Sequence, residues 1–558
     1  MDRTTTTRAE TRPRPTAATG SAAGRATPAP QSSPAPHAPH TAPAVLRERA
    51  ARVLAANWTG GSTVPSRELY PHQWSWDSAF IAIGLRHLSP LRAQLELETL
   101  LSAQWADGRL PHIVFNPSVP LDAYFPSPDF WRSTTAGRAA GAPGTVQTSG
   151  IVQPPVHALA AWLVHLADPA LSRARAFLPR LHPRLAAWHR FLLHHRDLGG
   201  AGLAAVVHPW EQGMDNSPCW DAPLSRVSPA RPHTFRRADL DHGSPQDRPT
   251  DLDYGRYVRL AADYRDGGYG AGVAAGRGGT APAAGLAAGG FAVEDPSFNA
   301  LLIASEHALA RITGELGVPA TARHERAERL TRVLVERLWD PTDGIFRCRD
   351  LLAGGLEGAS GGDGAARDGT AGRARSGGRG SAAGWADGAD RVGGVGGVGG
   401  VGGVGGALIG EVGVTGLVPL VLPGLPRDIA AALVRTACGP RFELGGRVRL
   451  VPSHDLLSPA FDPQRYWRGP AWFNTNWLLE RGLRLHGERE RADVLRAAVL
   501  DTAVASDFAE YVDPYTGSGC GARGFSWSAA LALDMSVDVD MNVNVTAGAE
   551  RDEGARDE

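Results

Sequence analysis

Residues 43–54 read Pro-Ala-Val-Leu-Arg-Glu-Arg-Ala-Ala-Arg-Val-Leu and indicate the structural class of the chain. Their apolar side chains Leu46, Ala50, Val53 and Leu54 recur at intervals of three and four residues, the spacing of one face of an amphipathic helix. The same periodicity returns near residues 90–105, 154–167, 171–195, 296–313, 321–339, 427–438, 470–486, 488–508 and 526–534. We therefore predict about ten helices.

Strand signals are few and short by comparison, as in Arg447–Val451. No alternation of strand and helix continues long enough to build a parallel sheet, so the sequence favours an all-α architecture. The connections between the predicted helices are long and rich in Trp, Tyr, His, Asp and Asn, whereas ordinary helix connections have about 2 to 8 residues. Long ordered loops of this kind commonly carry function.

The charge balance of the chain excludes some classes of partner. The 558 residues include 57 basic and 58 acidic ones, a formal net charge of −1, so we expect neither nucleic acid nor a membrane as a partner.

The first 42 residues lack the apolar stretch of a secretory signal, and no run of 18 apolar residues occurs, so we expect a cytoplasmic protein. The four cysteines are far apart and suggest neither a zinc site nor a disulfide framework, and we expect no metal site.

Composition also predicts where the folded domain begins and ends. Residues 1–42 are rich in Pro, Thr and Ala and are predicted to be a disordered tail. Residues 43–535 are predicted to form a single domain, interrupted by flexible Gly-rich inserts at 270–289 and 354–406. Residues 536–558 are predicted to be a polar C-terminal tail.

Two segments in the first third of the chain combine aromatic and polar side chains in a way that core packing does not require. Tyr70–Asp77 reads Tyr-Pro-His-Gln-Trp-Ser-Trp-Asp, just before an apolar helix expected to start near Ala79. Aromatic faces beside a carboxylate suit a sugar, whose C–H faces stack on rings while its hydroxyls need hydrogen-bond partners. Residues 108–131 hold a second such set in Pro-rich loops. The alternatives are an acid that caps the helix beside structural tryptophans, and stiff structural loops.

Two further segments place acids among aromatic rings. Residues 208–221 read His-Pro-Trp-Glu-Gln-Gly-Met-Asp-Asn-Ser-Pro-Cys-Trp-Asp, which predicts a loop. Carboxyl groups beside apolar rings tend to have a raised pKa, as a general acid needs. The last segment joins Tyr466–Trp477 to Glu510–Gly517 and Gly524–Ala530, with helices expected after Pro470 and Trp527. Two carboxyls far apart in sequence suggest cleavage of a glycosidic bond, although acidic surface positions would also fit.

These segments resemble those of the bacterial members of glycoside hydrolase family 63, in particular the mannosylglycerate and glucosylglycerate hydrolases. The resemblance covers about residues 43–535 outside the two inserts. It rests on Trp-Ser-Trp-Asp at 74–77, Leu-Pro-His-Ile-Val-Phe-Asn at 110–116, Glu-Gln-Gly-Met-Asp-Asn-Ser-Pro at 211–218, Tyr-Trp-Arg-Gly-Pro at 466–470 and Phe-Ser-Trp-Ser-Ala-Ala at 525–530.

The resemblance implies an (α/α)6 toroid, formed by six helical hairpins, and hydrolysis with inversion and without an organic cofactor. It makes Asp215 the general acid and Glu510 the general base. In an inverting site their carboxyl groups should lie about 6.5 to 9.5 Å apart, which leaves room for a water molecule.

The resemblance also implies a set of substrate-binding residues. The glycone subsite would be lined by Tyr70, Trp74, Trp76, Asp77, Gln153, Trp210, Tyr466, Trp467 and Trp472, with Asp77 and Gln153 holding hydroxyls. Arg248 would pair with the carboxylate of the aglycone, assisted by His112, Tyr124 and Tyr254, because a guanidinium binds a carboxylate bidentately. The alternative for Arg248 is an exposed arginine in a polar loop. The sequence departs from the family pattern at Phe525 and around residues 137–147, which bears on substrate specificity.

The expected substrate is a small α-glucosylated or α-mannosylated compound, with glucosylglycerate first and mannosylglycerate next. One alternative is an α-glucosidase acting on oligosaccharides or glycogen-like ends. A second is a non-catalytic helical toroid that binds carbohydrate. A homo-oligomer is compatible with the sequence.

Overall fold

The computed structural model describes residues 42–241, 244–270, 290–353 and 406–537. The protein is mostly helical, as the sequence predicts. Its α-helices in this part of the chain are α1 Pro43–Ala56, α2 Ser75–Leu85, α3 Pro90–Ser102, α4 Pro128–Trp131, α5 His157–Ala167, α6 Pro169–Ala174, α7 Phe177–His195, α8 Pro209–Gln212, α9 Asp221–Ser225, α10 Asp251–Asp266, α11 Pro296–Glu315, α12 Thr321–Leu338, α13 Arg427–Cys438, α14 Phe473–Leu485, α15 Arg489–Ala505 and α16 Ser526–Ser536.

The predicted tails and inserts lie outside the described residues except at their edges. Residue 42 belongs to the described part, as do 270 and 406 at the edges of the two inserts. The helix α16 continues to Ser536, the first residue of the predicted C-terminal tail.

Three predicted helix starts were wrong. The helix expected near Ala79 begins at Ser75, and the helix expected after Trp527 begins at Ser526. The helix expected after Pro470 begins at Phe473, since Ala471 and Trp472 form a strand first. The aromatic motifs therefore lie partly inside the first turns of the helices.

One long helix was missed. The stretch 247–254 was interpreted as loop, but α10 begins within it at Asp251 and Thr250 caps it: the Thr250 hydroxyl accepts a hydrogen bond from the backbone N–H of Asp253 at 3.2 Å. The Thr-x-x-Asp pattern is a form of capping box and was a usable signal.

The most buried helices form a closed series of contacts, in which each element packs on the next and the last packs on the first. Every side chain of α2 is buried, as are those of α16 from Ser526 to Met535. α2 packs on α5, and α5 packs on α11. α11 and α14 both pack on the 3-10 turn Val418–Val421, α14 packs on α16, and α16 packs on α2. The amphipathic helices α1, α3, α7, α12 and α15 pack against this set from outside.

A glycine allows α2 and α16 to approach closely. A Cβ atom at Gly84 would lie 2.2 Å from the backbone oxygen of Ala530. Any larger side chain at residue 84 would therefore push these two buried helices apart.

The described part of the chain also contains eleven two-residue strands, namely β1 Gln73–Trp74, β2 Ile113–Val114, β3 Ala205–Val206, β4 Val293–Glu294, β5 Trp339–Asp340, β6 Ile345–Phe346, β7 Arg349–Asp350, β8 Ala407–Leu408, β9 Ala471–Trp472, β10 Tyr511–Val512 and β11 Gly519–Cys520. The expected strand at Arg447–Val451 is wrong, since those residues form turns and loop. No helix in the described ranges is long and apolar enough to cross a membrane.

Candidate active site

A small antiparallel sheet positions Glu510. Strand β10 follows Glu510 directly and pairs with β9 on one side and β11 on the other, so that Tyr511 lies opposite Trp472. The Glu510 carboxylate accepts hydrogen bonds from the Tyr70 hydroxyl at 2.9 Å and from the backbone N–H of Ala522 at 3.1 Å. These contacts fix the carboxylate in a buried position.

Glycine is required at residue 521 because of this carboxylate. Gly521 has φ of +66°, and a Cβ atom there would lie 2.3 Å from Oε2 of Glu510. The backbone conformation and the available space both exclude a side chain.

Arg248 lies beside Glu510. Its Nη2 is 3.9 Å from Oε2 of Glu510, its Nη1 donates to the Tyr70 hydroxyl at 3.3 Å, and its guanidinium lies 4.7 Å from the ring centre of Tyr466. The backbone N–H of Tyr466 donates to the Asp247 carbonyl at 2.9 Å, which anchors the segment that carries Arg248. Arg248 is 6% exposed, so the alternative of an exposed arginine is wrong.

Asp215 follows a short helix and a tight turn. α8 ends at Gln212, the next residue Gly213 has a left-handed φ of +83°, and a Cβ atom there would lie 2.5 Å from the Trp76 indole. The segment predicted as a loop therefore begins with one helical turn, and its glycine lets Trp76 pack beside it. The backbone carbonyl of Asp215 accepts a hydrogen bond from the Tyr257 hydroxyl at 2.8 Å.

Asp215 and Glu510 share one electrostatic environment but differ in their partners. Burial raises the pKa of Asp215 well above its usual value and the charge of Glu510 raises it further, while Arg248 opposes both effects. Burial also raises the pKa of Glu510, but Arg248, the Ala522 N–H and the Tyr70 hydroxyl stabilise its ionised form. Such a pair can hold a proton on one carboxyl while the other is ionised.

A third carboxyl, Asp77, lies in the first turn of α2. Burial raises its pKa well above the usual value, and the charges of Glu510 and Asp215 add to this effect. Gln153 is tied to the same turn, because its side-chain oxygen accepts a hydrogen bond from the backbone N–H of Trp76 at 3.1 Å.

Aromatic rings form one wall around Glu510. Trp467 and Trp472 stack with ring centres 3.7 Å apart and planes 3° from parallel. Trp467 has a left-handed φ of 58°, which is uncommon for a bulky residue. The Tyr466 ring contacts Trp472 edge-on at 5.2 Å, and its hydroxyl lies 3.4 Å from that of Tyr70.

A second aromatic group continues from Trp74. The Trp74 ring meets the rings of Tyr70 and Tyr124 edge-on, at 5.3 and 5.1 Å. Strand β1 pairs with β2, which brings His112 close to Trp74, and the His112 ring stacks on Trp210 at 6.3 Å. Burial lowers the pKa of His112 to about 3, so this ring is neutral.

Tyr254 contacts the same group from α10. Its ring lies 6.2 Å from that of Trp210, and its hydroxyl donates to the Phe125 carbonyl at 3.1 Å. Tyr254 lies in the first turn of this helix. The Phe525 ring meets the Tyr70 ring edge-on at 5.8 Å.

The structure thus connects all the predicted site residues through contacts or electrostatic interactions. Residues that the sequence did not reveal are Tyr257, which holds the backbone of Asp215, and the pair Gly521 and Ala522 beside Glu510. The capping box at Thr250 would have placed Tyr254 and Tyr257 one helical turn apart. No group of three or more His, Cys, Asp or Glu side chains in the described residues is arranged to hold a metal ion.

Comparison with known proteins assigns the chain to a family. Residues 70–528 match the family model described as the mannosylglycerate hydrolase MGH1-like glycoside hydrolase domain. A mannosylglycerate hydrolase from Rubrobacter radiotolerans is 36% identical over 487 residues, which cover 87% of this chain and 95% of that protein. A glucosylglycerate hydrolase from Mycolicibacterium hassiacum is 36% identical over 512 residues, which cover 88% of this chain and 98% of that protein.

A solved structure agrees with both sequence matches. The crystal structure of a family 63 mannosylglycerate hydrolase from Thermus thermophilus, in complex with Tris and D-glycerate, matches with a TM-score of 0.69 and 35% identity. The match covers 88% of this chain and all of that one. The chain therefore belongs to the mannosylglycerate and glucosylglycerate hydrolases of glycoside hydrolase family 63, and it is a glycoside hydrolase.

Proposed function

We propose that this enzyme hydrolyses glucosylglycerate or mannosylglycerate, with inversion at the anomeric carbon. The observation that carries the proposal is the electrostatic interaction of Asp215 with Glu510 and of both carboxyls with Arg248, beside the rings of Tyr70 and Tyr466. Two carboxyls of different environment supply acid and base, and a buried guanidinium suits a substrate that carries one carboxylate.

Asp215 is the proposed general acid. Its raised pKa keeps a proton available for the glycosidic oxygen as the bond to the anomeric carbon breaks. Glu510 is the proposed general base, because its contacts with Arg248, Tyr70 and Ala522 favour the ionised form. It takes a proton from the water that attacks the opposite face of the sugar. The products are glycerate and a β-sugar.

Arg248 is proposed to bind the glycerate carboxylate. Its guanidinium lies 4.7 Å from the centre of the Tyr466 ring and 3.9 Å from the Glu510 carboxylate. His112 and Tyr124 are proposed to shape this subsite, because both contact Trp74. Tyr254 is proposed to assist through its ring, since its hydroxyl is bonded to Phe125.

The sugar itself is proposed to be bound by Asp77 and Gln153 and enclosed by aromatic rings. The oxygen of Gln153 is used by Trp76, and its amide N–H groups have no acceptor among the described residues, so they are free for a sugar hydroxyl. The enclosing side chains are Tyr70, Trp74, Trp76, Trp210, Tyr466, Trp467 and Trp472. They would exclude water from the reacting bond.

We also propose that residues 43–535 form a single (α/α)6 toroid. The closed series of contacts supports a toroid with six inner elements, namely α2, α5, α11, Val418–Val421, α14 and α16. The outer helices that pack against them would complete the hairpins.

The test is an assay of glucosylglycerate, mannosylglycerate, maltose and α-glucosyl fluoride with the wild type and Arg248→Lys. The variant keeps the positive charge beside Glu510 but loses the bidentate fork. We expect kcat/KM for the two glycerate compounds to fall at least about tenfold and the rate on the fluoride to change little.

Two results would contradict the proposal. Faster turnover of maltose than of either glycerate compound would favour an oligosaccharide α-glucosidase. Sugar binding without release of free sugar from any of the four compounds would indicate a binding protein.

A further inference from the structure

A basic cleft lies between two outer helices, α7 and α12. It has a volume of about 430 Å³ and includes Ala186, Leu193 and Leu330 in its walls. Its basic lining consists of four arginines, Arg190, Arg323, Arg326 and Arg329, and two histidines, His189 and His194. None of the residues placed in the candidate active site lines it, so it is a separate feature of the molecule.

The charge of this cleft is poorly balanced by the protein. No Asp or Glu lines it in the described part of the chain. The nearby carboxylate of Glu306 on α11 bonds Arg323 at 3.1 Å and Arg326 at 2.9 Å, and it accepts a hydrogen bond from Nδ1 of His189 at 2.5 Å. One carboxylate therefore meets three potential cations.

Burial alone would raise the pKa of Glu306, but the hydrogen bond from His189 and the charges of Arg323 and Arg326 lower it to about 2. Glu306 is thus ionised and fully engaged. It cannot also neutralise Arg190 and Arg329, which form no ion pair or hydrogen bond within the described residues and are exposed.

His189 also lines the cleft. Its side chain is 2% exposed, and its Nε2 has no hydrogen-bond partner among the described residues. Because Nδ1 donates to Glu306, Nε2 can donate to an acceptor oxygen in the cleft when the ring carries both protons.

We propose that this cleft is a binding site for a small phosphorylated anion. The proposed substrate carries one carboxylate and meets one buried arginine, Arg248. The cleft instead offers four arginines around a volume of a few hundred Å³, which suits the two or more charges and the several acceptor oxygens of a phosphoryl group.

The test is calorimetric titration of the full-length enzyme with pyrophosphate, inorganic phosphate, citrate and sulfate at low ionic strength. We expect saturable binding of pyrophosphate at one site per chain, tighter than that of citrate or sulfate. The double variant Arg190→Gln/Arg329→Gln should bind pyrophosphate at least about tenfold more weakly, because each lost arginine removes charge-assisted hydrogen bonds.

Arg332→Gln is the matched control, since Arg332 is exposed on the same helix but does not line the cleft. It should bind pyrophosphate as the wild type does, and all variants should unfold at the same temperature. Absence of saturable binding, equal binding by the double variant, or tighter binding of citrate would overturn the proposal. So would loss of binding in Arg248→Gln, which would place the anion in the active site.

Discussion

Glu510 and Asp215 interact electrostatically, but they contact different groups. Glu510 accepts hydrogen bonds from Tyr70 and Ala522 and has Arg248 beside it. Asp215 is held through its backbone by Tyr257. This difference supports the proposed roles, in which Asp215 carries the proton and Glu510 the negative charge.

Asp215→Asn should separate the acid role from the other steps. We expect kcat/KM on glucosylglycerate to fall about 10³-fold, within the usual range for a lost general acid. Hydrolysis of α-glucosyl fluoride should fall by less than about tenfold, because fluoride leaves without protonation. Glu510→Gln is the comparison and should lose activity on both substrates. A loss of fluoride hydrolysis in Asp215→Asn as large as that on glucosylglycerate would contradict the acid role.

The same environment predicts a bell-shaped pH profile of kcat/KM. Activity should fall on the acidic side as Glu510 is protonated, at a pH above its ordinary pKa of 4.5, and on the alkaline side as Asp215 ionises. Arg248→Gln removes a positive charge that favours both ionised forms, so both limbs should move to higher pH.

Arg67→Gln is the control for this shift, because Arg67 lines the same surface cavity as Arg248 but lies outside the proposed catalytic groups. Its profile should match that of the wild type. Limbs that stay in place in Arg248→Gln would show that Arg248 does not act on the two carboxyls.

The sequence indicated which residues are candidates for the site, but it did not indicate which of them contact one another. The segments around Trp74, Asp215 and Glu510 stand out because they place many rings and acids in loops. The proximity of Arg248 to Glu510 could not be predicted, because it depends on how a distant segment packs onto the Tyr466 ring.

Two glycines near the sheet formed by β9, β10 and β11 should differ in how their substitution by alanine affects activity. Gly521 and Gly517 both have left-handed φ, of +66° and +72°. A Cβ atom at 521 would lie 2.3 Å from the Glu510 carboxylate, whereas at 517 the nearest atom is 3.1 Å away, on Arg449. We expect both alanine variants to lose about 1 to 2 kcal/mol of stability.

Gly521→Ala alone should also lower kcat, by about 10²-fold, because it displaces the general base. Urea unfolding and steady-state kinetics of the two variants check both expectations. Equal kcat values in Gly521→Ala and Gly517→Ala would argue against the positioning role of this turn.

Helices and strands of this protein differ in how well the sequence pattern predicts them. Long amphipathic helices such as Thr321–Leu338 could be predicted, because the spacing of their apolar residues is regular. Two-residue strands such as Tyr511–Val512 could not, since two residues cannot show an alternation. The start of α2 was misplaced because all its side chains are buried, which removes the contrast between faces.

Close packing of the inner helices should dominate the stability of the whole domain. Gly84→Ala would place a Cβ atom 2.2 Å from the Ala530 backbone, and we expect a loss of about 2 to 3 kcal/mol. Gly314 is also helical but has no atom near the position of an added Cβ. Gly314→Ala should therefore stabilise the protein by about 0.5 to 1 kcal/mol. Urea midpoints measure both, and equal effects would contradict the close approach of α2 and α16.

At the scale of the whole enzyme, the configuration of the product at the anomeric carbon distinguishes inversion from retention. Proton NMR during the first minutes of glucosylglycerate hydrolysis measures it directly, before the sugar equilibrates. If Asp215 and Glu510 act as acid and base on opposite faces of the sugar, β-glucose should form first. Initial release of α-glucose would show retention and contradict the roles given to the two carboxyls.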